Sequence, residues 1–261
     1  MSTPDGLVRI ARTLADACVS RQAVSPPIES DPGLTVDDAY AVQLLQVKAR
    51  VDAGAVVKGY KVGLTAKAMQ DQLGVHQPDF GHLLDDMFHL EGLPIEASNY
   101  IQPKVEPEIA FVLGKELSGP GVNVAEAMRA VDFVVPSLEL IDSRVRDWKI
   151  TIVDTVADNA SSAGVILGSH PSLLRKVDLT QVQCHLLLDN EPTASGVGSA
   201  VLGSPINALV WLANTLGTRG IHFQPGDVIL PGSLTASYPV KAGSNAHAEF
   251  VGLGSVTAVF A

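Results

Sequence analysis

The stretch Ile101–Leu113, IQPKVEPEIAFVL, decides how this chain is read. Side chains on a strand alternate faces, so Glu106 and Glu108, separated by Pro107, project from one side of a segment that otherwise reads as a strand. The apolar run Ile109–Leu113 follows at once, and a second apolar run, Phe133–Ile141 (FVVPSLELI), carries a single carboxylate, Glu139. A lone Glu in such a run is either an exposed edge residue or a buried charge with a partner, and apolar neighbours on both faces favour burial. An E-x-E pair taken alone fits the solvated face of an amphipathic strand. Three carboxylates converging from two strands instead make a site for a hard divalent cation, Mg2+ or Mn2+. Spacing leaves both readings open.

Composition narrows the classes. The chain has 261 residues, 46% of them hydrophobic, and a formal net charge of −10. That is enough to bury a substantial core, as one large domain or two small ones. The acidic excess disfavours nucleic acid or an anionic membrane surface as the main partner. An anionic small substrate remains compatible, because a local lysine or metal inverts the field of a site. Cys18 and Cys184 are far apart and belong to no C-x-x-C pattern, so neither a disulfide framework nor a zinc site is expected. The seven histidines show no H-x-x-x-H or H-x-H spacing. There is no G-x-S-x-G, no P-loop, and GLGS at 252–255 lacks the surroundings of a dinucleotide fingerprint. The N-terminus carries no secretory pattern and no apolar run reaches the ~18 residues of a bilayer span, which fits a cytoplasmic enzyme or binding protein.

Outward from the central stretch, Pro4–Val19 has helical spacing of Leu7, Ile10, Ala11, Leu14 and Cys18. Thr35 and Asp38 resemble a capping box for a second helix that runs to about Ala53 and stops at Gly54. From Val56 the pattern becomes β-rich, and Gly59 and Gly63 in VVKGYKVGLT mark a strand that another backbone or a ligand approaches closely. A short helix over Ala66–Leu73 and a loop over Gly74–Gly81 follow, then a helix from Asn123 to Ala130 with Glu126 at its capping-box position. Ser204-Pro205 opens a helix that Gly217 closes, and the C-terminal third alternates strands with Gly/Pro turns. The expectation is one domain of α+β class: an N-terminal helical layer over 1–54, packed on a rolled or barrel-like mixed sheet over 55–261.

Further candidates lie around that sheet. Lys61, between two glycines, suits a substrate carboxylate or proton transfer, although most lysines are merely solvated. Asp79 in QPDFG reads as a general acid/base or as a turn-forming Asp. The polar stretch Asp142–Ser162 sits between two apolar runs, and Asp158, Asn159, Ser161 and Ser162 in it line a pocket or cap the next element. Ser233 follows a PG turn and is placed to donate to a ligand or simply to close the turn.

Together, GYKVGLTAKAMQDQLGVHQPDFGHLLDDM, IQPKVEPEIAFVL, LELIDSRVRDWKI and DTVADNASSAGVILG resemble the 2-hydroxypenta-2,4-dienoate (2-oxopent-4-enoate) hydratase family of the fumarylacetoacetate hydrolase superfamily. The likeness runs from about Leu34 to the C-terminus. It implies a mixed β-roll, a role in meta-cleavage degradation of aromatic compounds, and Mg2+ or Mn2+ on Glu106, Glu108 and Glu139. It implies Lys61 and Asp79 as the catalytic pair, with Asp158, Ser161 and Ser233 at the substrate pocket. It further implies a small 2-hydroxydienoate substrate, a homo-oligomer, and association with 4-oxalocrotonate decarboxylase. The competing readings are that decarboxylase itself and a non-catalytic partner of it.

Overall fold

The computed structural model describes residues 3–66, 70 and 75–261, so most of the helix expected over Ala66–Leu73 lies outside the described residues. Helix α1 spans Pro4–Ser20, short α2 Pro27–Ser30 and α3 Val36–Asp52. Thr3 caps α1 by accepting from the Gly6 N–H, and Ile10, Ala11, Leu14 and Ala17 form its buried face. At α3 the box forms with Asp38 in place of the usual Glu: Thr35 Oγ1 accepts from the Asp38 N–H, and the Asp38 carboxylate accepts from the Thr35 N–H, both at 3.1 Å.

Among the described residues thirteen strands follow: β1 Val57–Gly63, β2 Asp79–Leu84, β3 Phe88–His89, β4 Pro94–Ile95, β5 Lys104–Leu113, β6 Val131–Ile141, β7 Ser162–Leu167, β8 Gln183–Leu188, β9 Glu191–Val197, β10 Val228–Leu230, β11 Tyr238–Pro239, β12 Asn245–Phe250 and β13 Gly254–Phe260. Helices α4 (Val124–Ala130), α5 (Ile152–Ala157) and α6 (Pro205–Gly217) lie between them. The larger sheet runs β2-β1-β10-β5-β6-β7-β3, with β11 beside β5; the smaller runs β4-β13-β12-β8-β9. Pairing is mixed, since β1 and β10 are parallel while β5 and β6 are antiparallel. Strands β5 and β6 are the spine, in register from Lys104 opposite Ile141 to Val112 opposite Phe133, after which a one-residue shift sets Leu113 opposite Val131. Both faces of this pair are covered, which is why the two runs are continuously apolar and not alternating. The larger sheet curls until β2 meets the residues leading into β7, where Asn159 Oδ1 accepts from the His82 N–H at 2.8 Å and Asn159 Nδ2 donates to the His82 carbonyl at 2.9 Å.

Two sequence expectations change here. The loop expected over Gly74–Gly81 ends at Pro78, because β2 begins at Asp79 and pairs along β1. The segment Gly198–Gly217 also has the length and apolar composition of a membrane span, with mean hydropathy 1.2, where no such run was expected. Its α-helical part is Pro205–Gly217 alone, and Ile206, Leu209, Leu212 and Leu216 bury one face in the core.

The helical layer is attached to the sheet by a buried polar residue. Gln43 is fully buried; its Nε2 donates to the carbonyls of Phe80 (3.0 Å) and Val156 (2.9 Å). Its Oε1 then faces His82 Nδ1 at 3.0 Å, so the network assigns a hydrogen to Nδ1. Beside it Tyr40 stacks on Phe80 with centroids 4.3 Å apart. Burial pushes the His82 imidazole down to about 4. The folded state favours neutral His82, so the unfolded chain takes up the proton first as pH falls below the ordinary histidine value. The resulting stability is complete above that value and is lost as pH falls towards about 4. The loss amounts to about 3 kcal/mol over that window. Urea unfolding from pH 7 to pH 4 is expected to show it, and His82→Phe to remove that share of the acid slope while lowering stability at pH 7.

Candidate metal centre and active site

The register of β5 and β6 builds the site. Glu106 stands directly opposite Glu139, and cross-strand partners share a face. Glu108, two residues along β5, joins that face, and the three residues bring carboxylate oxygens within 4.8 Å of one another. Glu108 and Glu139 are fully buried, whereas Glu106 keeps a partly exposed side chain at the rim. The solvated-strand reading of the E-x-E pair is therefore set aside.

Lysine 61 enters from β1, with Nζ 3.3 Å from Glu139 Oε1 at a distance for ion pairing but without hydrogen-bond alignment. Asp79 enters from β2 opposite Gly63, and it is strand-bound and buried, not a turn residue. A Cβ on Gly63 would lie 2.1 Å from Asp79 Oδ1 and 3.5 Å from Lys61 Nζ. Only glycine at position 63 leaves room for the Asp79 carboxyl beside the lysine. The turn after β10 completes the floor: the Gly232 N–H donates to Glu108 Oε2 at 2.7 Å.

The electrostatics follow from crowding. Burial, then Glu139 and Glu106, hold the Glu108 carboxyl well above the usual carboxylate range. Burial pushes Glu139 up to about 7, opposed by Lys61 and reinforced by Glu106. Glu106 is raised by burial against the pull of Lys61 and Lys104, and Asp79 by burial against Lys61. Burial alone would drive the proton off Lys61, yet Glu139, Asp79, Glu106 and Glu108 outweigh it, and its net shift is upward. Among the described residues, Glu108 Oε1, both Glu139 oxygens and Asp79 Oδ1 are buried without a hydrogen-bond partner. Carboxylates are not left so unless something else satisfies them. A compact set of oxygen-only donors suits a hard divalent cation, so the residues fit the group.

Three further candidates, Asp158, Ser161 and Ser233, have their polar side-chain atoms engaged within the protein. Asp158 Oδ1 accepts from Arg144 Nε at 2.5 Å and Asp158 Oδ2 from the Arg144 N–H at 2.9 Å. Burial still lifts Asp158 to about 6, although Arg144 pulls the other way. Ser161 Oγ lies 3.3 Å from Thr155 Oγ1, and Ser233 Oγ donates to the Pro107 carbonyl at 3.3 Å. Sequence reasoning missed Arg144, which also donates to the carbonyls of Asp142 (2.6 Å) and Ser162 (3.2 Å), and so ties β6, the polar stretch and β7 together. It also missed Asp142, whose carboxylate accepts from the N–H groups of Ile101 (2.9 Å) and Gln102 (2.7 Å) and so holds the entry to β5. A buried Arg inside a polar segment has no local pattern that separates it from a solvated one.

Comparison with known proteins gives the same picture. The family model described as fumarylacetoacetate (FAA) hydrolase C-terminal matches residues 52–261. A 2-keto-4-pentenoate hydratase of Paraburkholderia xenovorans is 43% identical over 258 residues, covering 99% of this chain and 96% of the relative. A 2-hydroxyhexa-2,4-dienoate hydratase of Comamonas testosteroni is 42% identical, covering 95% and 94%. Among solved structures, 4-oxalocrotonate decarboxylase from Pseudomonas putida G7, complexed with magnesium and adipate, superposes with a TM-score of 0.95 at 35% identity, covering 100% of this chain and 99% of that one.

Proposed function

The chain belongs to the fumarylacetoacetate hydrolase family, and from that membership we propose a metal-dependent hydratase that adds water to 2-hydroxypenta-2,4-dienoate or a close homologue. The observation that carries the reading is the carboxylate triad, with buried unsatisfied oxygens on Glu108 and Glu139, set beside Lys61 and Asp79 in a chain similar over its whole length to hydratases. Glu106, Glu108 and Glu139 would hold Mg2+ or Mn2+, which supplies Lewis-acid polarisation of the substrate's carboxylate and C2 oxygen.

The chain's own groups do the rest. Lys61, kept protonated by the surrounding carboxylates, holds the developing negative charge on the substrate and orients it. Asp79, its carboxyl lifted towards the working range, moves protons. The 2-hydroxyl gives up its proton as one is delivered to C5, which converts the dienol to its isomer, an α,β-unsaturated 2-oxo acid. Water then bonds to C4, its spare proton passes to Asp79, and Asp79 returns a proton to C3, which gives a 4-hydroxy-2-oxo acid. Asp158, Ser161 and Ser233 shape the mouth. The reading carries with it a single catalytic domain in a cytoplasmic homo-oligomer that works beside a 4-oxalocrotonate decarboxylase.

The structural likeness to that decarboxylase favours a second reading, loss of CO2 from a 2-oxo acid on the same metal and lysine. Chelator-stripped protein assayed with and without Mg2+ separates the two. Metal-dependent loss of dienol absorbance with no CO2 from 4-oxalocrotonate supports the hydratase, and CO2 release with an inert dienol overturns it.

A further inference from the structure

Strand β5 carries one more charged side chain on the face of the triad. Lys104 precedes Glu106 by two residues, so Lys104, Glu106 and Glu108 point the same way, while Val105 and Pro107 are buried on the other face. Lys104 and Glu106 are the half-exposed members of this row, and Glu108 is the fully buried one. The lysine therefore stands at the solvent end of the row. Its charge acts on Glu106, whose carboxyl it draws down against burial. Among the described residues its ammonium makes no ion pair and no hydrogen bond. It lies instead over the Trp148 ring, 4.1 Å from the centroid.

A strained turn holds that ring. Asp147 and Trp148 both have left-handed backbones, with φ of +57° and +54°. Left-handed residues other than glycine are uncommon, and two in succession persist only where the surroundings enforce them. Here the enforcing contacts reach back to the start of β5. Trp148 Nε1 donates to the Gln102 carbonyl at 3.1 Å, and Gln102 Nε2 donates to the carbonyls of Ser143 (2.8 Å) and Val145 (2.5 Å). The ring is thus fixed to the strand that carries Lys104. An aromatic face holds an ammonium by its quadrupole and leaves the charge in place, where a carboxylate partner would neutralise it. The lysine is positioned, and its N–H donors stay available.

The charge balance of the site gives such a cation a task. Glu106, Glu108, Glu139 and Asp79, when all are ionised, outweigh a divalent cation and Lys61 together by one negative charge. An anionic substrate entering that field gains from a further positive charge at the mouth. We propose that Lys104, held against Trp148, is the rim cation that binds the substrate's C1 carboxylate, donating to it from the solvent side of Glu106. The inference rests on the hydratase reading for the identity of the substrate. It assigns Lys104 to binding and not to proton transfer, so its loss weakens the substrate complex and leaves the chemical step in place.

The test compares Lys104→Met and Lys104→Arg with the parent, by kinetics and by calorimetry. For Lys104→Met with Mg2+ and 2-hydroxypenta-2,4-dienoate, KM is expected to rise about tenfold with kcat within about threefold, the size of one charge-assisted hydrogen bond at a half-exposed position. Calorimetric affinity of the Mg2+-loaded protein for 2-oxopentanoate, an unreactive 2-oxo acid, is expected to fall by about the same factor. Mg2+ affinity itself stays equal or tightens, because a positive charge beside Glu106 has gone. A merely structural lysine would not move the two affinities in opposite directions. Lys104→Arg keeps the charge and the stacking on Trp148, and is expected to stay within about threefold of the parent in KM. KM and 2-oxopentanoate affinity within twofold of the parent in Lys104→Met overturn the proposal. So does a joint loss of metal and 2-oxopentanoate binding that Lys104→Arg does not restore. If the parent holoenzyme makes no hydroxy acid, the hydratase reading fails, and the 2-oxopentanoate measurement still decides the role of Lys104.

Discussion

Glu108→Gln is expected to abolish tight divalent-metal binding and to lower kcat about 10³-fold. The substitution keeps size and keeps an oxygen for the Gly232 N–H, which now donates to Glu108 Oε2 at 2.7 Å. What it removes is one anionic donor of three whose oxygens lie within 4.8 Å of one another. A hard cation depends on charge and oxygen count, so two carboxylates and an amide hold it far less firmly. Losing several kcal/mol of Lewis-acid stabilisation corresponds to the stated fold-change. Stability moves the other way in the metal-free state, because neutralising Glu108 removes its repulsion with Glu139 and Glu106. Metal titration by calorimetry, with melting curves with and without Mg2+, checks both halves. Parent-like metal affinity in the variant would mean that the cation is held elsewhere.

Lys61→Met is the complementary case. It is expected to cut kcat by about 10²–10⁴-fold, the range for a positioned proton-transfer or charge-stabilising group, while metal binding stays equal or tightens. The lysine competes with a cation for Glu139, 3.3 Å from its Nζ, so losing it frees a ligand. Metal-free stability falls by about 3–5 kcal/mol, because a buried ion pair loses one partner and its carboxylates lose their counter-charge. Added Mg2+ restores most of that loss, which a purely structural lysine would not show. Lys61→Arg is not expected to rescue turnover, since a planar fork does not replace a compact ammonium between Glu139 and Asp79. Loss of metal binding in Lys61→Met would contradict this division of labour.

The two elements that matter most were legible because they are local. The E-x-E spacing in a strand puts Glu106 and Glu108 on one face without any tertiary information, and Glu139 stood out as the lone charge in an apolar run. The helix caps at Thr35 and Asn123 were legible for the same reason, since a capping box spans four residues. What spacing cannot convey is register between strands distant in sequence. Glu106 opposite Glu139, Lys61 opposite Gly81 and Gly63 opposite Asp79 are set by pairing across long connections, and these turn separate charges into one site. The loop boundary at Gly81 failed on that account, because β2 takes its strand conformation from β1 and not from its own Pro- and Gly-containing sequence. Arg144 and Asp142 were missed because a buried polar network differs from a solvated loop only in what surrounds it. Asp158 and Ser161 read in the sequence as pocket-lining or capping residues, and in the structure their polar atoms are spent on Arg144 and Thr155.

The measurement that bears most directly on the central claim is product analysis in ¹⁸O-labelled water. Purified protein with Mg2+ and 2-hydroxypenta-2,4-dienoate should give a 4-hydroxy-2-oxo acid carrying the label in its C4 hydroxyl, and the same protein stripped by chelator should give none. A product of unchanged carbon count without the added water, or one lighter by CO2, would contradict the account.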